Sequence, residues 1–336
     1  MRIIIPMAGK GKRMRPHTLT VAKPLIPVAG KPIVQRLVED ITKVCGEKVE
    51  EIAYVIGSDF GKETEQNLIK IAEGQGAKGS IYYQDKALGT AHAIMCAEKS
   101  IAGKTVIAFA DTLFKADFVM DTEKEGVIWV QKIEDPRQFG VVKLDSKGVI
   151  TDFVEKPVEF VSDLAIIGIY YFKDGDNLKK ELKYLLDNNI TEKGEFQLTN
   201  ALENMKAKGI KFEPGKVTEW LDCGNKDATV YTNQRVLEFD KAKPYLRGKN
   251  IEINNSIINE PCYIGDNVKI NNSIVGPHAS IGANSSIETS IVKNSILQAS
   301  TKTNNASINN SMLGEGAEVK GKPLDLSISD YTQIIV

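Results

Sequence analysis

The sequence predicts an α/β domain built on a mixed, mostly parallel sheet, followed by a parallel β-helix. Three observations carry this. Over the first two-thirds of the 336 residues, short apolar runs alternate with amphipathic helical segments. From about Asn250 the helix formers give way to Asn, Ser, Gly and isolated Ile or Val at six-residue steps. The first apolar run also leads into a glycine-rich turn set among cations, Ala8-Gly9-Lys10-Gly11-Lys12-Arg13-Met14-Arg15-Pro16.

Taken in order, Ile3-Ile4-Ile5-Pro6-Met7-Ala8 reads as a fully buried strand, and the loop after it is broken by Gly9, Gly11, Pro16 and Pro24. Pro32 opens a helix through about Val44, with Ile33, Val34, Leu37, Val38 and Ile41 on one face. Residues 52–56 form a second strand, 61–73 a helix, and 80–84 a third strand. Leu88-Gly89-Thr90 then leads into a helix through about Glu98, and residues 105–110 form a fourth strand ending at Asp111. This βαβαβαβ order predicts a Rossmann-like sheet with helices on both faces and ligands beyond the carboxyl ends of the strands. The glycine loop and Asp111 both fall there. Strands at 127–131, 140–144, 149–155 and 164–172 come closer together and read as an antiparallel extension. Helices at about 175–186 and 195–208, a short strand at 211–213 and a helix at 225–239 follow, which sets domain limits of 1–245 and 246–336.

In the second domain Ile264 and Ile270, then Val275, Ile281 and Ile287, mark six-residue steps. A longer phrase recurs as Ser256-Ile257-Ile258, Ser273-Ile274-Val275, Ser290-Ile291-Val292 and Ser311-Met312-Leu313, the first three 17 residues apart. Six-residue steps inside a coil of nearly 18 residues predict a triangular β-helix of hexapeptides, with one aliphatic side chain inward per edge. Its flat faces and open ends favour a homo-oligomer. The last segment, 322–336, loses the period and reads as a cap or subunit contact.

Composition narrows the function. Arg2, Lys10, Lys12, Arg13, Arg15, Lys23, Lys31 and Arg36 precede the first acid, Glu39, in a chain of formal net charge -1. Cations gathered around a glycine turn suit a ligand with several phosphates. The near-neutral balance argues against a nucleic-acid partner, and no apolar run has membrane-spanning length. The apolar stretch at 3–8 is too short for a signal-peptide core. Cys45, Cys96, Cys223 and Cys262 are scattered, which favours reduced thiols in the cytoplasm over disulfides or zinc.

The glycine loop is neither a Walker A loop, since no Gly-Lys-Ser/Thr follows, nor a dinucleotide fingerprint, since Met14 stands where a third glycine belongs. The longer pattern Gly9-x-Gly11-x-Arg13-Met14-x-Pro16-x-Thr18-x4-Lys23-Pro24 resembles the signature of sugar-1-phosphate nucleotidyltransferases. Further stretches are similar to that family in the family's order. They are Leu88-Gly89-Thr90-Ala91-His92-Ala93, Phe139-Gly140-Val141-Val142, Val154-Glu155-Lys156-Pro157 and Trp220-Leu221-Asp222-Cys223-Gly224. A left-handed hexapeptide β-helix after such a domain is also a family arrangement.

The resemblance implies transfer of a nucleotidyl group from a nucleoside triphosphate to a sugar-1-phosphate by in-line attack, with catalysis by charge neutralisation and positioning. It implies Ala8, Gly9, Gly11 and Arg13 on the triphosphate and Lys23 bridging the reacting phosphates. Asp111 and Asp222 would hold Mg²⁺, and Gln84, Gly89 and Thr90 would face the base. Gly140, Glu155 and Lys156 would hold the sugar phosphate. Gln84 and the Gly89-Thr90 turn favour a pyrimidine, hence dTTP or UTP with glucose-1-phosphate; guanylyl transfer to mannose-1-phosphate and ADP-glucose chemistry remain alternatives. Lys12, Thr112 and Cys223 depart from common family residues, which bears on the choice of base and sugar. Two other readings are an added acyltransferase using His278 and a binding-only regulatory subunit. His92 reads as a helix-face structural residue.

Overall fold

Strand β1 (Arg2–Pro6) buries Ile3, Ile4 and Ile5 completely and lies between two parallel neighbours, β4 (Glu51–Ile56) and β6 (Thr105–Ala108). A strand covered on both faces has no solvent side, so its residues run apolar without alternation. The computed structural model describes residues 1–9, 11–322 and 333; Lys10 and nearly all of the expected terminal cap at 322–336 lie outside them. The chain separates into two units, Met1–Thr232 and Asn233–Val336.

In the first unit the tiny strands β2 (Pro27–Val28) and β3 (Lys31–Pro32) form a hairpin over Ala29 and Gly30, both at positive φ. Buried Arg36 on helix α1 (Ile33–Val44) pins that hairpin, donating from its guanidinium to the carbonyl oxygens of Val28 (2.6 Å) and Ala29 (2.8 Å). Helix α2 (Lys62–Glu73), strand β5 (Lys78–Tyr83) and helix α3 (Thr90–Cys96) follow, with β5 parallel to β4. After β6 come β7 (Thr112–Lys115), β8 (Gly126–Lys132), β9 (Gly140–Leu144), β10 (Ile150–Glu155) and β11 (Leu164–Phe172). The sheet order is β10-β9-β11-β6-β1-β4-β5, with β8 also on β11. The chain leaves β1 toward β4 and β5 and then returns to β6 on the other side. Strand order therefore reverses at β1, and a crevice opens beyond its carboxyl end. The glycine loop begins there. As expected, β8 to β11 pair antiparallel, β10 with β9 and β11 with β6 and β8.

Helices α4 (Gly175–Asp187) and α5 (Leu198–Ala207) pack Leu178, Leu182, Leu185, Leu198 and Leu202 into the core. The short strand is β12 (Phe212–Lys216), parallel to β8. Trp220 and Asp222, expected on a turn, instead lie on β13 (Glu219–Asp222), antiparallel to β7. Helix α6 (Lys226–Asp240) completes the set.

The second unit contains a left-handed parallel β-helix with three sheet faces, of five, four and four short strands among the described residues. Ile264, Ile270, Val275, Ile281, Ile287, Val292 and Leu297 are all buried within it, one per edge. Corners use Asn at positive φ, including Asn267, Asn272 and Asn284, because its short amide tolerates the left-handed region. Their amides stack between coils, as from Asn250 to Asn267 (3.1 Å) and from Asn267 to Asn284 (3.0 Å). One sequence reading needs correction. Ser311-Met312-Leu313 is not the fourth copy of the Ser-Ile phrase. Met312 and Leu313 pair with Ile296 and Leu297 on a different face, and Ile291 and Val292 stack instead on Ser307 and Ile308. The later coils are a residue shorter, so a fixed 17-residue spacing loses the register. In the same unit His278 Nε2 lies 2.5 Å from Glu238 Oε1.

Candidate active site

The cation-rich start of the chain does not fold into one patch. Arg36 holds the hairpin, Lys31 pairs with Glu39 (2.8 Å) and Arg2 lies 3.9 Å from Glu51. Lys12, Arg13 and Lys23 remain to line a cleft of about 420 Å³ beyond the carboxyl end of β1. Ala8, Gly9 and Gly11 line the same cleft, as do Gln84, Gly89, Thr90 and Asp111, so nine of the expected site residues meet in one place.

The loop is shaped by its own contacts. Gly11 takes φ 54, and Thr18 Oγ1 donates to its carbonyl at 2.8 Å. A Cβ on Gly11 would come within 3.0 Å of the Lys23 Cβ, so the glycine lets the lysine stem pack against the loop. A Cβ on Gly9 would meet nothing within 4 Å. Protein packing does not demand that glycine, whereas close approach of a ligand to the backbone would.

Lys23 is buried to 8% exposure, and its Nζ donates to Asp111 Oδ2 at 2.9 Å. Asp222 lies opposite Thr112 in the β13–β7 ladder, one residue from Asp111, and the Cys223 amide donates to the Asp111 carbonyl at 2.9 Å. Burial pushes the Asp222 carboxyl above its usual range, and the charge of Asp111 pushes it further. Lys23, the Gly224 amide and Arg13 pull it back. Two carboxylates from neighbouring segments thus share one electrostatic environment with two cations.

That donor chemistry fits a hard divalent cation. No group of three or more His, Cys, Asp or Glu side chains suited to a metal forms among the described residues. A cation held by Asp111 and Asp222 would draw its remaining ligands from phosphate oxygens and water, as Mg²⁺ does.

Gly140, Glu155 and Lys156 are brought together but do not line this cleft. Gly140 pairs with Glu155 across β9 and β10, and a Cβ on Gly140 would sit 3.1 Å from Glu155 Oε2. Lys156, at φ 42, places Nζ 2.8 Å from Glu155 Oε1. The buried Tyr170 phenol is pushed up first by burial and then by both Glu155 and Asp111, so the two groups lie within electrostatic reach of one tyrosine.

The segment 195–197 was expected as the start of a helix. It is extended instead, and α5 begins at Leu198. Its backbone is committed elsewhere: the Phe196 amide donates to the Leu88 carbonyl (2.8 Å) and the Ala91 amide to the Phe196 carbonyl (2.9 Å). Glu195 thereby reaches the cleft, and Gln197 Oε1 accepts from Thr90 Oγ1 at 3.2 Å. Neither residue was singled out from sequence, nor was Phe109, another lining residue. Only Gly194 hinted that the helix would start late. Gly89 takes φ 112, and an added Cβ would come within 2.4 Å of the Phe196 carbonyl oxygen. Gly89→Ala is expected to lower Tm by several degrees and to weaken nucleotide binding, read by thermal melting and calorimetry.

Residues 2–238 match the family model described as nucleotidyl transferase. The low-salt glycan biosynthesis nucleotidyltransferase Agl11 of Haloferax volcanii is 31% identical over 246 residues, covering 71% of this chain and 66% of Agl11. The bifunctional protein GlmU of Methanococcus vannielii is 32% identical over 268 residues, covering 76% of this chain and 59% of GlmU. Glucose-1-phosphate thymidylyltransferase of Streptomyces antibioticus is 26% identical over 251 residues, covering 71% of this chain and 67% of that protein. The chain thus spans only about three-fifths of the GlmU relative.

Proposed function

Since the chain belongs to the nucleotidyl transferase family, we propose that it joins a nucleoside triphosphate to a sugar-1-phosphate, giving a nucleotide-sugar and pyrophosphate. A phosphate oxygen of the sugar-1-phosphate attacks the α-phosphorus, and the bond to the pyrophosphate oxygen breaks. No protein nucleophile is needed. The observation that carries this reading is the Lys23–Asp111 pair, set with Arg13 and the glycine loop in one cleft at the strand-order reversal.

In this reading Ala8 and the Gly9 and Gly11 backbone hold the triphosphate, and Arg13 neutralises charge on the departing pyrophosphate. Lys23 bridges the reacting phosphates. Glu155 and Gly140 receive the sugar, and Lys156 its phosphate. Asp111 and Asp222 would hold Mg²⁺, which would supply charge neutralisation at the phosphates. Gln84, Gly89 and Thr90 take the base. The amide of Gln84 and the naming of the Streptomyces relative favour dTTP or UTP with glucose-1-phosphate. Agl11 and GlmU fit another base and sugar equally well.

Residues 1–245 serve as the catalytic domain and 246–336 as the β-helix domain. Homo-oligomer formation is proposed on the exposed Ile257 and Ile291, which belong to one ladder of the β-helix through Ile274. Cytoplasmic residence accords with four cysteines that stand free, three of them buried. No helix among the described residues is long and apolar enough to cross a membrane. A second activity in the β-helix is a weaker reading: a relative is named bifunctional, but the one histidine there, His278, has Nε2 engaged with Glu238.

The test is pyrophosphate release with Mg²⁺ across dTTP, UTP, GTP, ATP and CTP against a panel of sugar-1-phosphates. One strong pair is expected, with dTTP or UTP. Silence from folded protein across the whole grid would sink the reading.

A further inference from the structure

We infer that His92 is a positioning residue for base selection, fixing the Gln84 carboxamide so that only its oxygen is left for the nucleobase. This deepens the nucleotidyl-transfer reading and rests on it.

Gln84 lines the cleft, and His92 on α3 does not. Gln84 Nε2 lies 3.0 Å from His92 Nδ1 and 3.3 Å from the Gly89 carbonyl oxygen. A carbonyl oxygen only accepts, so Gly89 dictates which end of the amide faces it. That resolves the ambiguity of orientation that an isolated carboxamide carries. The two amide N–H groups are then both committed, one to Gly89 and one to the imidazole. For His92 to accept, Nδ1 must carry no proton and Nε2 must carry it. Partial burial, which lowers the pKa of the ring, favours this neutral form. Among the described residues the Cys96 thiol also lies near Nδ1, at 3.9 Å, itself kept protonated by burial. Asp85 acts electrostatically on that thiol, whereas the shift of the His92 ring itself comes from burial.

Gln84 therefore meets the base as an acceptor. Uracil and thymine bring an imino N3–H to such a group, whereas cytosine brings a bare N3 lone pair. Two opposed acceptors in a cleft are strongly disfavoured, and a site built around one hydrogen bond can reject the mismatched base by orders of magnitude. An amide free to turn would offer its NH₂ to cytosine just as readily. The Gly89 carbonyl at 3.3 Å opposes that turn only at the outer limit of a hydrogen bond, and the shorter contact to His92 at 3.0 Å locks it without touching the base.

The test compares kcat/KM for UTP and CTP, with the preferred sugar-1-phosphate, in wild type, His92→Leu and His92→Asn. The UTP-to-CTP ratio is expected to fall roughly tenfold in His92→Leu, chiefly through KM. His92→Asn, whose Oδ1 can accept the same amide proton, should restore most of it. A purely structural role would lower both rates together and leave the ratio alone. A ratio within about twofold of wild type in His92→Leu overturns the proposal, as does failure of His92→Asn to rescue, or wild-type preference for CTP. A second readout needs no turnover: long-range ¹H–¹⁵N spectra of the full chain labelled with ¹⁵N-histidine, at pH 7. They should show His92 protonated at Nε2 and bare at Nδ1; the opposite tautomer or an imidazolium overturns the assignment. If no triphosphate reacts, the nucleotidyl-transfer reading fails on its own, and the spectra still decide the His92–Gln84 geometry.

Discussion

Lys23→Met is expected to lower kcat by about three orders of magnitude, with a smaller change in either KM. The lysine is almost fully buried, and its stem is wedged against Gly11. Among the described residues its close carboxylate partner is Asp111, whose side chain keeps 43% of its exposure. In the proposed reaction, a cation desolvated on one side and open to the cleft on the other would meet phosphate charge that grows toward the transition state. Arginine should not replace it, because the forked guanidinium is wider than an ammonium and the space beside Gly11 is already filled. The measurement is steady-state pyrophosphate release, with thermal melting as a check on folding. A folded variant within tenfold of wild type would remove Lys23 from the chemistry.

Asp111→Asn and Asp222→Asn should each cut turnover by about two to three orders of magnitude and raise the Mg²⁺ concentration needed for half-maximal rate. The two substitutions should part company in stability. Asp222 is a carboxylate disfavoured by burial and by the charge of Asp111. Its asparagine variant removes that penalty and keeps an oxygen to accept from the Gly224 amide, now at 3.0 Å. Metal-free Asp222→Asn should therefore melt at or above the wild-type temperature while being far less active. Asp111→Asn leaves the buried Lys23 without its anion and should melt lower. Magnesium titrations of activity and melting curves in chelator test both halves. Equal metal dependence in wild type and Asp222→Asn would take Asp222 out of the proposed metal site.

The first strand, the glycine turn and Asp111 were legible because each is local. An apolar run without alternation means a strand covered on both faces, and glycines with proline on either side mean a shaped loop rather than a helix. The β-helix was legible for the same reason, since one inward aliphatic residue per six is a period written along the chain. Its fourth phrase misled because Ser311-Met312-Leu313 copies the pattern of one face while occupying another. Glu195 and Gln197 were hidden because Phe196 spends its backbone on Leu88 and Ala91, which lie a hundred residues away in sequence.

By itself the sequence determined the α/β domain, the β-helix after it, and which residues form the glycine loop and the Gly89-Thr90 turn. Each follows from hydrophobic period, turn chemistry or local charge. Only the tertiary structure decided which cations line the cleft. Arg36 and Lys31 are claimed by the hairpin and by Glu39, whereas Arg13 and Lys23 are left to the cleft. It also decided that Asp222 stands beside Asp111 and that His92 Nδ1 lies 3.0 Å from Gln84 Nε2. Those pairings depend on strand register and on contacts between distant segments, and no spacing along the chain encodes them.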